Sequence, residues 1–162
     1  MKYLTQYIWI LFILVNFFNA YLLRKKAEKF IEETPEKESG YKIIFKNFLI
    51  YGSIPWIIIG IGNSFRFTES VFNYFQPSKM NPMVLLFHFS IVVIWILLIR
   101  FIFLKNGAKF LENHPGIIRI NSFGNVNENP SENAIKLITI VGIIGGIIAM
   151  LMMWFTTIPF PK

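Results

Sequence analysis

Four long apolar runs divide the chain, roughly Tyr3 to Leu23, Ile43 to Gly62, Met83 to Leu104 and Ala134 to Phe155. Each is close to the ~20 residues that a helix needs to cross ~30 Å of hydrocarbon. The runs lack the period-two alternation of barrel strands. A backbone surrounded by lipid has to satisfy its polar groups within its own segment, so the runs are expected to be helices. The pattern predicts an all-α fold, a four-helix transmembrane bundle, with residues 1–162 forming a single integral membrane domain.

The connections carry their own signals. Leu23, Ala27, Phe30 and Ile31 recur at helical spacing after the first run, with Lys26, Lys29 and Glu33 turned away and Lys29 able to pair with Glu33. Helix one therefore extends beyond the hydrocarbon. It ends at Thr34-Pro35, because the residue before proline disfavours the α region. Between Asn63 and Pro82, Phe65, Phe67, Phe72, Tyr74 and Phe75 suit a membrane interface. The stretch Asn113 to Asn133 is rich in Asn, Gly and Pro and reads as a loop. Asn129-Pro130-Ser131-Glu132 reads as the start of helix four, with Asn129 as cap and Pro130 at the first position. Within helix two, Pro55 frees the carbonyl of Tyr51 and marks a candidate kink.

Charge sets an orientation. The chain is 54% hydrophobic and 15% charged, with a net charge of +7, and its basic residues flank the apolar runs. That placement fits anchors facing anionic lipid and excludes a nucleic-acid-binding domain. Arg24, Lys25, Lys26, Lys29, Lys37, Lys42 and Lys46 border the first connection. Arg100, Lys105, Lys109, Arg119 and Lys136 border the third. Lys2, Arg66, Lys79 and Lys162 lie on the other side, so the division is twelve against four. The positive-inside rule then places the first and third connections in the cytoplasm and both termini outside. The first run reads as a retained helix rather than a cleaved signal. Bulky Phe18 stands where a small residue is wanted before Ala20, and basic residues follow directly.

The two halves share a pattern at an offset of eighty. Lys25, Lys29, Phe30, Glu32 and Pro35 match Lys105, Lys109, Phe110, Glu112 and Pro115, and after an insertion Lys46 and Gly52 match Lys136 and Gly142. This predicts two parallel helical-hairpin repeats, about 1–62 and 83–162, joined by an outer loop, 63–82.

Few residues carry candidate chemistry. The chain has no Cys, which removes thiol catalysis and thiolate metal sites. No acid lies inside a run, so no carboxylate pair is available there. Neither catalytic residues, nor a metal site, nor a cofactor is expected. The polar intramembrane candidates are Asn16, Asn19, His88 and Arg100. Asn16 and Asn19 are three apart and are expected on one face, where they can bind a substrate or bond across helices. His88 can switch near neutral pH or rest as a bonded packing residue. Arg100 can line an anion path or snorkel to headgroups. Gly142, Gly145, Gly146 and Ala149 form overlapping small-residue patterns for close helix packing.

The stretches Phe72-Asn73-Tyr74-Phe75-Gln76-Pro77, Asn81-Pro82, Asn106-Gly107-Ala108 and His114-Pro115-Gly116 resemble small multi-pass bacterial membrane proteins that carry no assigned function. The resemblance spans residues 41–155 and implies a bacterial cytoplasmic membrane, but no mechanism. Two functional readings follow. One is a non-catalytic interaction or accessory subunit, in a homo-oligomer or a larger membrane complex. The other is a small oligomeric transporter or channel, which requires Asn16, Asn19, His88 and Arg100 to converge on a water-filled cavity.

Overall fold

The computed structural model describes residues 2–122 and 125–155, with side chains described for 6–120 and 127–155. The side chain of Lys2 and the whole of Lys162, both counted in the charge division, lie outside the described residues. Helix α1 (Lys2–Glu33) is unbroken, as expected of a stretch with neither Gly nor Pro. It runs through the basic extension and stops before Pro35, where the Thr34 N–H still donates to Phe30 O at 3.1 Å. A 3₁₀ turn, Pro35–Lys37, reverses the chain into α2 (Glu38–Ser64), which continues through Pro55.

Helices α1 and α2 pair along their length in an antiparallel zipper. Trp9 lies on Gly60, Phe12 stacks on Trp56 with ring centroids 3.9 Å apart, and Asn16 lies on Gly52. Ala20 and Ala27 continue the buried side of α1. After α2, the N–H groups of Phe67 and Thr68 both donate to Gly62 O, which folds the outer connection back over the helix ends. Two 3₁₀ turns follow, Val71–Phe75 and Pro77–Lys79. Asn81 then caps α3 (Pro82–Ile99), accepting from the Met83 N–H at 2.9 Å, with Pro82 in the first turn, where its missing N–H costs nothing.

Helix α3 continues as a π-helical stretch, Arg100–Leu104, so that the whole span is Pro82–Leu104. It breaks at Asn106, which is left-handed at φ 53°, and a short helix α4 (Gly107–Glu112) starts in a new direction. Gly107 is required there, since a Cβ would lie 2.6 Å from the Phe101 carbonyl oxygen. The corresponding stretch of α1 is continuous, so the two halves differ at this point. The third connection is not wholly a loop. It contains a small antiparallel hairpin of β1 (Ile120–Ser122) and β2 (Asn125–Asn127). Helix α5 (Glu132–Phe155) begins two residues later than the sequence suggests. Ser131, not Asn129, serves as its cap: the Ala134 N–H faces Ser131 Oγ and the Ile135 N–H donates to Ser131 O. Pro130 precedes that cap instead of opening the helix.

Beyond the α1–α2 seam, the buried apolar residues gather into two clusters, one at each end. Ile59, Val71, Tyr74 and Val84 form one cluster under the outer connection, and Ile102, Ala108 and Ile135 form another against α4. Between them the helices present apolar side chains outward. Leu14 and Phe18 are each 60% exposed, and none of the most apolar window of α5 is buried. Four helices, α1, α2, α3 with its π-helical end, and α5, are long and apolar enough to cross a membrane. The predicted all-α, four-helix architecture is the one observed.

At the basic end, the third connection is tied to the first. Lys29 reaches Glu128 at 2.8 Å rather than Glu33, and Arg119 meets the other oxygen of Glu128 at 3.0 Å. The Gly116 N–H donates to Glu128 O, and Gly116, at φ 81°, lies against Phe30. Lys29, through its hydrogen bond and its charge, and then Arg119 hold the Glu128 carboxyl below its usual range. A carboxyl lowered by folding stabilises the tie above the ordinary value of 4.5 and loses that contribution as pH falls through the lowered value. Backbone amide exchange across 116–120, corrected for intrinsic rates, is expected to be slow near neutral pH and to accelerate only as the pH falls below the ordinary carboxylate range. Glu128→Gln should give the fast behaviour at neutral pH. Unchanged protection in that variant would show that the ion pairs do not hold the connection.

Candidate functional site

The polar residues of the long helices fall into separate places. Asn16 is buried at the α1–α2 contact. Its Nδ2 donates to Ser53 Oγ at 2.9 Å and faces Leu49 O at 3.3 Å. Gly52 admits it, because a Cβ there would lie 2.8 Å from Asn16 Oδ1. Asn19, three residues on, is exposed and has no hydrogen bond among the described residues. The expected common face is therefore not formed. The contact ridge of α1 is narrow, following Trp9, Phe12, Asn16 and Ala20, and Asn19 falls outside it.

His88 lies at the other end, 4% exposed. Its Nε2 is 2.9 Å from the Tyr74 carbonyl, which can only accept, so Nε2 carries the hydrogen. Its Nδ1 is buried and has no partner among the described residues. The rings of Phe87 and Trp154 meet the imidazole edge-on. Tyr74 joins a second set of bonds. Thr68 Oγ1 donates to Asn63 Oδ1 at 2.7 Å and lies 3.2 Å from Tyr74 Oη, while Asn63 Nδ2 faces Gln6 O. Burial raises the Tyr74 phenol above its ordinary value, with the bond to Thr68 opposing. These groups bind the outer connection to α1, α2 and α3, and His88 Nδ1 is the one buried side-chain atom of the set without a partner among the described residues.

At the basic end His114 occupies a comparable position. Nδ1 donates to Phe110 O at 2.6 Å, and the ring packs against Phe110 and Tyr41. The Tyr41 hydroxyl donates to Pro115 O at 2.9 Å. Gly40 is needed here because a Cβ would overlap His114 Nε2. His88 and His114 thus sit at opposite ends, each in a packing role. No group of three potential metal ligands occurs among the described residues.

Arg100 is exposed at the start of the π-helical stretch, with no ion pair or hydrogen bond among the described residues. On α5, Gly146 receives the Trp95 ring, which would lie 2.6 Å from a Cβ at that position. At Gly142 and Gly145 a Cβ would meet nothing within 4 Å among the described residues. Together with exposed Ala149 they form an open strip. Pro55 stands one turn from Tyr51, whose carbonyl it leaves without a helical N–H donor.

The sequence reading missed a cleft of about 520 Å³ between α2 and α3. Ile43, Asn47, Tyr51, Ile94, Leu97 and Phe101 are among its lining residues. Such a cleft depends on how far apart two uniformly apolar helices sit, which apolar runs do not encode. Asn47, next to Lys46 near the start of the second apolar run, was the available signal. The chain matches no family model, no curated protein and no solved structure.

The Asn16 contact is directly testable. Asn16→Ala and Ser53→Ala are each expected to weaken α1–α2 association by about 1 kcal/mol, as interhelical hydrogen bonds in bilayers do. The double variant should lose little more than the worse single one, because both remove one bond. Unfolding free energies measured in bicelles would check this, and fully additive losses would contradict the pairing.

Proposed function

We propose that this chain is an integral membrane protein that crosses the bilayer four times and serves as a non-catalytic interaction or accessory subunit. One observation carries the reading: Gly142, Gly145 and Ala149 leave an open, small-residue strip along α5. Helices in lipid have no hydrophobic drive to associate. They gain from close van der Waals contact, and a strip of small residues permits it. In this reading the occupant of the strip is a transmembrane helix of another subunit, and exposed α1 offers a second flank. The dispersal of Asn16, Asn19, His88 and Arg100 counts against the alternative, a small oligomeric transporter or channel. Asn16 and His88 are used in packing, and Asn19 and Arg100 stand apart on exposed surfaces.

In the proposed orientation the basic end faces the cytoplasm and both termini lie outside, in a bacterial cytoplasmic membrane, as the charge division and the resemblance imply. The two halves are proposed to be parallel repeats, the second of which acquired the break at Asn106 and the hairpin. Extraction in mild detergent is expected to recover the 19.0 kDa chain with a stoichiometric second polypeptide. Gly145→Leu should release that partner without unfolding the chain, since the new side chain enters open space. A monomer would contradict the proposal. A pure homo-oligomer would favour the transporter instead, and would call for flux assays in liposomes.

A further inference from the structure

The α2–α3 cleft extends beyond its main hollow. Tyr51, Ile94 and Leu97 also line an adjoining hollow of about 240 Å³, so the two make one apolar channel along the helices. At the basic end α4 closes it with Phe110 and Leu111, and the Phe101 ring meets Phe110 edge-on at 6.1 Å. A spanning helix is about 10 Å across and has to continue past both ends of the cleft. The closed end forbids that, whereas a flexible hydrocarbon chain fits.

Polar groups mark the level at which such a chain would begin. Tyr51 lies beside Ile94 and Leu97. One turn toward the basic end on each antiparallel helix brings Asn47 level with Phe101, and Arg100, the sequence neighbour of Phe101, stands at that level just outside the lining of the cleft. Asn47 lines the cleft with an amide that has no partner among the described residues, and Arg100 has no counter-ion among them. Arg100 lies about 27 Å along its helix from Pro82, at 1.5 Å per residue. That is the depth at which ~30 Å of hydrocarbon gives way to headgroups. A guanidinium there matches a phosphate in charge and in fork geometry, and an amide can donate to a glycerol ester.

We infer that the cleft is a binding site for an anionic phospholipid from the leaflet at the basic end. One acyl chain lies along Tyr51, Ile94 and Leu97, and the phosphate is held by Arg100 beside Asn47. The inference rests on the bilayer location proposed above and not on the α5 partner.

The test uses the full chain in mild detergent, offered phosphatidylglycerol and phosphatidylcholine with identical acyl chains, with bound lipid counted by native mass spectrometry. One phosphatidylglycerol per chain is expected, retained in preference to phosphatidylcholine. Arg100→Gln should weaken retention about tenfold, the size of one charged hydrogen bond. Arg100→Lys should restore part of it, since charge survives and the fork does not. Leu97→Trp should fill the cleft and abolish retention, with thermal melting as the check on its fold. Gly145→Leu should bind lipid normally even when it loses its partner, which separates failure of this site from failure of the α5 reading. Equal retention of both lipids, or retention indifferent to Arg100→Gln, would reduce the bound molecules to ordinary surrounding lipid and overturn the site. A polypeptide displaced by Leu97→Trp would overturn it too.

Discussion

Helices surrounded by hydrocarbon gain nothing by hiding apolar side chains from one another, so they touch where small or polar residues let them. This constraint organises the structure. Gly52 admits Asn16, Gly60 admits the Trp9 ring, Gly62 admits the Tyr74 hydroxyl, and Gly146 admits Trp95. Elsewhere the long helices stand with their large side chains facing outward, as in a protein whose solvent is apolar. The same rule gives α5 its interest. Its Trp95 contact uses one glycine, and two more remain open, with nothing among the described residues to meet them.

Away from the helix middles, water returns and ordinary polar chemistry fixes the ends. At the basic end the third connection is bound by Lys29, Arg119 and Glu128, by the Tyr41 hydroxyl, and by His114 beneath Gly40. At the other end Asn63, Thr68, Tyr74 and His88 hold the outer connection. Between the rims α1 and α2 stay zipped together, whereas α2 and α3 leave the cleft between them, which α4 closes on one side.

The four helices were legible because apolar runs near spanning length admit few other structures, and the end of α1 was legible because Pro35 enforces it. What the runs could not express was azimuth. In a helix that is apolar on every side, periodicity does not say which face meets a neighbour, so Asn16 and Asn19 were read together although one is buried and the other exposed. Local punctuation was also ambiguous. Asn129-Pro130 and Ser131 both offer starts for α5, and only the bonds to Ser131 decide between them. The Lys29–Glu33 spacing was sound for an isolated helix, yet Glu128 arrives from a distant segment and takes the partner. The candidate His88 is bonded to the outer connection, and His114, which was no candidate, packs in a like way at the basic end; no short-range pattern announces either role.

All of this depends on the chain crossing a bilayer four times, with the basic connections on one side and the outer connection on the other. Single cysteines at the exposed positions Glu36 and Glu69 test it without background, because the chain contains no other cysteine. Intact cells would be treated with a membrane-impermeant maleimide. The account predicts labelling of Glu69→Cys, and labelling of Glu36→Cys only after the cells are opened. Labelling of both from outside, or of Glu36→Cys alone, would contradict it.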